Sequence, residues 1–411
     1  MAEFDLPSAL GLPATLPPLR TPAVPDLAAA ARSSALLGQA LALSAWADGR
    51  RVYEDSDFDD FDGELSDSLD QVWYLAHAVG FVEVDEDSNL ASFGPSAEPW
   101  RTGGDDAVLE LWDEAYTHLV IESMTIDAGD DLDLEGVGGA TMTALFMARG
   151  AGLALPEFSG MARAAALEQN MPERWDAHVA AKGDPAHALL ARLTALGAVE
   201  VGVAEASGTE YARMTGLGAA TMREQMCDGG FTIPPLPVVA EMTAADLVAA
   251  TGALTPDELR ADTAAWLALR SPADAAAELL TAATDATGRV FAATTIAGID
   301  VDAPAAWESA LDTPALRPYA QQALARPHEP ADRAWLLVDA LSVTTDPDDP
   351  AAIAEELAKA ADGDEVGLFE HVWRLPHPDA ADALALIGDR HPEKKTAKAA
   401  RKAAFKAASR R

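Results

Sequence analysis

Cysteine is nearly absent from this chain: one residue, Cys227, in 411. A single thiol closes no internal disulfide and builds no zinc ribbon, so the fold must stand on packing alone and nothing calls for an oxidising compartment. Aromatic residues are also scarce, 6% of the chain where hydrophobic residues as a whole reach 49%. The core must therefore be made of Ala, Leu and Val, which favour closely packed helices over sheets. No apolar run reaches the ~18 residues that indicate a membrane span. The opening stretch, MAEFDLPSALGLPATLPPLR, sets acids ahead of its apolar residues and prolines among them, unlike the basic and then continuously apolar plan of a signal peptide. A cytoplasmic protein without membrane association is the expectation.

Positive charge is the third shortage. Sixty-seven acidic residues oppose 29 Lys and Arg, for a net charge of −38, and only Lys182 and Lys359 precede the closing segment as lysines. From Arg390 onward the balance inverts: Arg390, Lys394, Lys395, Lys398, Arg401, Lys402, Lys406, Arg410 and Arg411 face a single acid, Glu393. That tail carries +8, and the rest of the chain −46, the difference between −38 and +8. A body so charged repels nucleic acid and anionic lipid at long range and stays in solution.

Along the chain, residues 1–25 read as an extended Pro-rich arm, and Asp26 to Asp48 as one long helix, followed by the acidic loop EDSDFDDFDGE. SDSLDQVWYLAHAVG spaces Leu69, Val72, Trp73, Ala76 and Val79 by threes and fours, an amphipathic helix, and runs directly into FVEVDEDSNLASFG, an alternating hairpin. The pattern recurs: AVGFVEV (78–84) is echoed 117 residues later by ALGAVEV (195–201), which leads on to TEYARMTGLG. A helix feeding a two-stranded ribbon is how a winged-helix domain ends, although LG-x-V-E-V also marks any helix-to-strand turn. The segment FTIPPLPVV is too rich in proline for helix. Beyond it, prolines recur at short intervals in TPDE, SPAD, APAAW, TPAL, EPAD, DPAA, HPDA and HPEK, and read as starts of helices ~10–18 residues long joined by tight turns. The expected fold is mainly α. Two winged-helix-like modules (26–125 and 126–232), a linker (233–240) and a HEAT-like α-solenoid ending in a basic helix (241–411) follow the arm.

The LPPLR opening, the paired helix-plus-VEV hairpins, the YARMTGLG segment and the close HPEKKTAKAARKAAFKAASRR together resemble an uncharacterised family of high-GC actinobacterial proteins. The resemblance covers most of the chain and implies architecture and a bacterial cytoplasm. It implies no activity, and EDSDFDDFDGE is richer in Asp than that family's pattern.

Chemistry-bearing motifs are few. Asp55, Asp57, Asp59, Asp60, Asp62 and Glu64 supply oxygens enough for calcium, but counting twelve residues from Asp55 puts Asp60 and Ser66 where an EF-hand needs Gly and Glu; a second run, Asp131, Asp133, Glu135 and Gly136, reaches Met142 at its twelfth position. GVGGAT (136–141) has no Lys and follows acids, so a turn before a helix is expected rather than a phosphate loop. The eight histidines are dispersed, Cys227 precedes an acid, and there is no G-x-S-x-G elbow. No catalytic, cofactor-binding or metal-binding residue is nominated, no cofactor is implied, and an enzyme is not expected.

Two surfaces remain. The helices before the hairpins could enter a DNA groove, but the first offers no cation and the second only His187 and Arg192, with Arg213 and Arg223 nearby. In the tail, Ala397, Ala400, Ala404, Ala407 and Ala408 form a small flat face with Phe405 at its margin, suited to packing on DAADALALIGDR, while the cations fan outward. Lys394, Lys395, Lys398, Arg401, Lys402, Lys406, Arg410 and Arg411 are thus the candidate partner or nucleic-acid contacts, unless they only offset the acidic body in cis. The expectation is a non-catalytic adaptor or regulator whose acidic surface meets a basic protein; the alternative is a nucleic-acid-binding transcriptional regulator, which the acidic body disfavours.

Overall fold

Ser34 breaks the helix expected over 26–48. In the computed structural model, which describes residues 6–52, 61, 68–129, 131–203, 208–299 and 304–409, α1 (Leu6–Leu10) is followed by α2 (Val24–Arg32) and α3 (Ala35–Ala47). The Ser34 hydroxyl accepts a hydrogen bond from the Leu37 amide at 3.2 Å, a cap that starts α3 and competes with continuation of α2. The chain divides into two compact units, Met1–Leu236 with Ala253–Thr255, and Pro237–Gly252 with Pro256–Arg411. Both are mainly helical. Among the described residues no helix is long and apolar enough to cross a membrane.

In the first unit α4 (Leu69–Ala78) leads into the hairpin β1 (Val82–Val84) and β2 (Ala91–Phe93), and then come α5 (Ala97–Thr102), α6 (Asp105–His118), a π-helical turn (Leu119–Ser123) and α7 (Met124–Ala128). The second half of the unit runs α8 (Val137–Met147), β3 (Leu153–Ala154), α9 (Leu155–Ala166), α10 (Pro172–Lys182), α11 (Pro185–Leu196), β4 (Val199–Val203), β5 (Glu210–Met214) and α12 (Gly216–Asp228). β3 lies antiparallel to β5, which pairs with β4, giving the order β3-β5-β4. A single bridge, Arg51 to Leu90, occupies the corresponding place beside the first hairpin.

The echo in sequence is the same turn built twice. Gly80 and Gly197, 117 positions apart, both take a left-handed backbone (φ 68° and 88°) that ends the preceding helix. Beyond each, an amide reaches five residues back at 2.8 Å: Phe81 to the Ala76 carbonyl, and Ala198 to the Leu193 carbonyl. Val82 and Val199 then enter the core as the first residues of their strands.

One contiguous apolar core runs from Leu27 to Leu217 through both hairpins. The Trp112 indole of α6 sits at its centre, fully buried, and donates to the last carbonyl of α11, Leu196, at 3.0 Å. Positions 125 and 126, where the sequence reading divides two modules, lie inside α7. The Pro-rich opening is also tied down: the Leu16 amide donates to the Thr232 carbonyl (2.9 Å), and the Leu236 amide to that of Leu19 (2.9 Å). Leu16 thereby joins Phe146, Met222, Met226, Phe231 and Ile233 in a second, smaller core.

The second unit is helical throughout its described residues: α13 (Ala244–Ala250), α14 (Pro256–Ala268), α15 (Pro272–Ala282), α16 (Ala286–Gly298), α17 (Pro304–Ala310), α18 (Arg317–Ala323), α19 (Pro330–Val343), α20 (Pro350–Ala361), α21 (Glu365–Val372), α22 (Ala380–Arg390) and α23 (Lys394–Ala408). Five of the eight expected proline starts are the first residue of a helix: Pro256, Pro272, Pro304, Pro330 and Pro350. Pro314 falls in the turn before α18, and Pro378 and Pro392 stand two residues ahead of α22 and α23. Leu269, three residues after the buried Trp266 and so in step with its stripe, lies beyond the end of α14 and is exposed. α19 is the hub, packing on α16, α18, α20, α21 and α22.

Candidate functional site

The basic helix α23 is built on alanine because alanine is all its seat admits. Thr396, Ala397, Ala400, Ala403 and Ala407 are buried, a three-and-four spacing that keeps one stripe turned to the rest of the unit, α22 above all. The expected stripe is therefore corrected at three positions: Ala403 is buried, Ala408 is exposed, and Ala404 is half-buried. Across the seam stands Gly388 of α22, where a Cβ would lie 2.5 Å from Arg401 Cγ and 3.2 Å from the Arg401 backbone nitrogen. Close approach of the two backbones depends on that missing methyl. Replacing Gly388 by Leu is expected to cost about 1–3 kcal/mol by overpacking, despite the better helix propensity of Leu. Urea unfolding measures the loss, and limited trypsin digestion should release α23 faster.

One cation anchors the helix from its flank. Lys406 Nζ lies 2.7 Å from Glu370 Oε1 and 5.0 Å from the centre of the Trp373 ring, and Trp373 Nε1 donates to the other Glu370 oxygen at 2.9 Å. The hydrogen bond from Lys406, then that from Trp373, holds the Glu370 carboxyl down to about 2, well under its ordinary 4.5. A depressed carboxyl supports the folded state above its ordinary value, and the support goes as pH falls toward 2.

The other lysines of α23 face away from its packed side. Lys394, Lys398, Lys402 and Phe405 succeed one another at four-, four- and three-residue steps along the side of α23 opposite the buried stripe, with Lys395 beside them. Lys394, Lys395, Lys398 and Lys402 are exposed, and none forms an ion pair among the described residues. Arg401 has Asp389 at 3.8 Å, and Arg390, before the helix, has Asp348 at 2.8 Å. Arg410 and Arg411 lie outside the described residues. Phe405 is not at the margin of the alanine face but centred among the lysines, 77% exposed.

The cations beside the second hairpin are occupied. Arg192, expected to point outward, is buried, its Nη1 2.6 Å from Asp127 Oδ2 on α7 and 3.4 Å from the Ser123 carbonyl at the end of the π turn. Gln71 of α4 donates to Asp127 as well, at 2.8 Å. Arg213 pairs with Glu200 across the hairpin, Arg223 donates both Nε and Nη2 to the Ile233 carbonyl, and His187 meets the Ser159 hydroxyl at 3.2 Å. Asp127 recruits Arg192 because the π turn leaves a carbonyl and a carboxylate together on one side of the core, a tertiary fact invisible in periodicity.

Of the two calcium candidates, the aspartates and Glu64 of EDSDFDDFDGE lie outside the described residues. In the other, Asp131 pairs with Lys182 at 2.8 Å, and Asn170 clamps the Asp133 backbone, accepting from its amide at 3.0 Å and donating to its carbonyl at 2.6 Å. Among the described residues no three His, Cys, Asp or Glu are placed to hold a metal. GVGGAT opens α8, and Gly138 lets that helix lie on the π turn: a Cβ there would fall 2.0 Å from the Val120 carbonyl oxygen.

A buried polar knot in the second unit escaped the sequence reading. Asp339, at zero exposure in the middle of α19, accepts from Arg289 Nε (2.8 Å) and Nη2 (2.6 Å), from the Tyr319 hydroxyl (2.8 Å) and from His377 Nε2 (2.8 Å). The Asp379 amide donates to His377 Nδ1 at 3.1 Å, which fixes the tautomer with its proton on Nε2. Burial raises the Asp339 carboxyl, but the hydrogen bonds from Arg289 and His377 outweigh it and leave the group below its ordinary value; burial first, then Asp339, pushes the Tyr319 phenol up, so it remains a donor. The place of Asp339 four residues after Trp335, on the same side of α19, was the one available signal. Comparison with protein-family models, curated proteins and solved structures finds no match to the chain.

Proposed function

We propose that the chain is a non-catalytic adaptor whose docking element is α23, presented to an anionic partner while the acidic remainder of the chain is available to a basic one. The single observation that carries this reading is the outward stripe of Lys394, Lys398, Lys402 and Phe405, unpaired in a chain with more than two carboxylates for every cation. Surplus carboxylates would pair these lysines in cis if neutralising the body were their role. Unpaired cations around an exposed aromatic instead present charge and apolar surface that an anionic partner can cover. The anchor on the opposite face, Ala against Gly388 and Lys406 against Glu370, favours a stripe held rigid before any partner arrives.

Within this reading the hairpin modules are winged-helix-like in the order helix, lone strand, helix, hairpin, and serve as packing modules. The second unit is a HEAT-like array that carries the docking helix. The alternative, a nucleic-acid-binding regulator, rests on the same stripe, because an aromatic flanked by lysines also stacks a base and contacts phosphates. Affinity purification from the native organism separates the two. Wild type is expected to retain a protein partner that survives nuclease treatment and is lost from a variant with Lys394, Lys395, Lys398 and Lys402 all changed to Gln. Loss of every partner on nuclease treatment establishes the alternative, and equal recovery by both proteins rejects the stripe altogether.

A further inference from the structure

In the second unit, two adjoining cavities of about 660 Å³ and 500 Å³ share Val290, Tyr319 and Gln322. Each falls in the ~300–1,000 Å³ range of small-molecule sites. They differ in character along their length. The first is lined by Ile296, Ile299, Pro304, Trp307 and Leu324, from α16 to the end of α18, and none of the described residues that line it carries an ionised side chain. The second is lined by Leu336 and Leu337 but also by His328, Arg333, Glu356 and Lys359.

Those charges are not equivalent. Lys359 is satisfied by Glu355 at 2.9 Å and Glu356 at 2.8 Å, and His328 Nε2 lies 2.9 Å from the Pro318 carbonyl. Arg333 is different: its Nη1 donates to the His328 carbonyl at 3.3 Å, while its Nε is buried without any hydrogen-bond partner, and no carboxylate pairs with it among the described residues. Arg333 is half-buried and lacks a carboxylate in a chain of 67 acids and 29 cations; Arg149, also half-buried without one among the described residues, lies in the first unit and lines neither cavity. A buried Nε–H without an acceptor is costly, and a guanidinium edge matches a carboxylate in bidentate geometry. The wall between the two cavities is fixed, since the Tyr319 hydroxyl is held by Asp339 at 2.8 Å in the buried knot.

We infer that this groove binds a small anionic amphiphile, a long-chain carboxylate, with its head on Arg333 and its chain along the apolar cavity toward Trp307. The site is independent of the α23 stripe, and its test leaves that stripe untouched. Isothermal titration of the full-length protein with dodecanoate, below its micelle concentration, is run beside dodecyltrimethylammonium and dodecanol. Dodecanoate is expected to bind at one site per chain. Arg333→Gln should weaken it about tenfold or more, the scale of a charge-assisted hydrogen bond. Ala293→Trp, which fills the apolar cavity from α16, should remove binding while circular dichroism and the thermal midpoint of the free protein stay those of wild type. If Ala293→Trp does not fold, Thr294→Trp on the same lining supplies that arm. Absence of dodecanoate binding, equal binding of the trimethylammonium compound, or an affinity unchanged by Arg333→Gln each overturns the inference.

Discussion

Replacing Asp339 by Ala is expected to lower the stability of the second unit by about 3–5 kcal/mol, the cost of leaving a buried charge without its partner. Arg289 is 3% exposed and gives Asp339 two of its hydrogen bonds, so no solvent reaches in to replace the lost carboxylate. Tyr319 and His377 lose their acceptor in the same step. The knot does not add stability in proportion. Changing Arg289, Asp339 and His377 together to apolar residues of similar volume should be far milder than the single change, because pair attraction and desolvation nearly offset one another. Urea unfolding monitored by the tryptophans of this unit, among them Trp335 beside His377 at 4.9 Å, measures both. The pH dependence has a defined sign. The Asp339 carboxyl is depressed below its ordinary 3.8, so its contribution is complete above that value and is lost as pH falls through the lower folded value. Wild type should therefore lose stability below pH ~4 more steeply than Asp339→Ala.

Trp112→Ala is the second large effect, and it reports on architecture as well as energy. The side chain is fully buried and stacks on Tyr116 with ring centres 5.7 Å apart. Its removal is expected to cost about 3–5 kcal/mol, transfer and cavity together. Because its indole also holds the last carbonyl of α11, the loss should reach both halves of the first unit at once. Hydrogen exchange in β1–β2 and in β4–β5 should accelerate together, by a common factor. Acceleration confined to one hairpin would mean that the two halves open separately, contrary to a single core from Leu27 to Leu217.

The helices, both hairpins and the proline starts were readable in the sequence because each is a local matter. Spacing, a left-handed glycine and a proline's fixed φ act within a few residues. The Ser33–Ser34 break was missed because apolar residues continue across it, and only the capping hydrogen bond decides. The hidden parts are those set by distant groups. Arg192 looks like a surface cation until α7 brings Asp127 to it, 65 residues away in sequence. Asp339 looks like a solvated acid until α16, α18 and the turn before α22 close around it. In the tail, alanine spacing alone set Ala404 and Ala408 on the packed face and Phe405 at its margin, where the structure buries Ala403 instead. Gly388 and the Glu370–Lys406 contact hold the helix so that Phe405 turns outward.

The central claim is that the outward stripe of α23 meets another macromolecule and not the chain's own acids. A benzophenone-bearing amino acid in place of Phe405, irradiated in the native organism, tests it most directly. The prediction is a discrete crosslink to one partner in trans, absent when the same group replaces the exposed Ala408 at the edge of the stripe's helix. Crosslinks from position 405 that fall only on acidic segments of the same chain would contradict it.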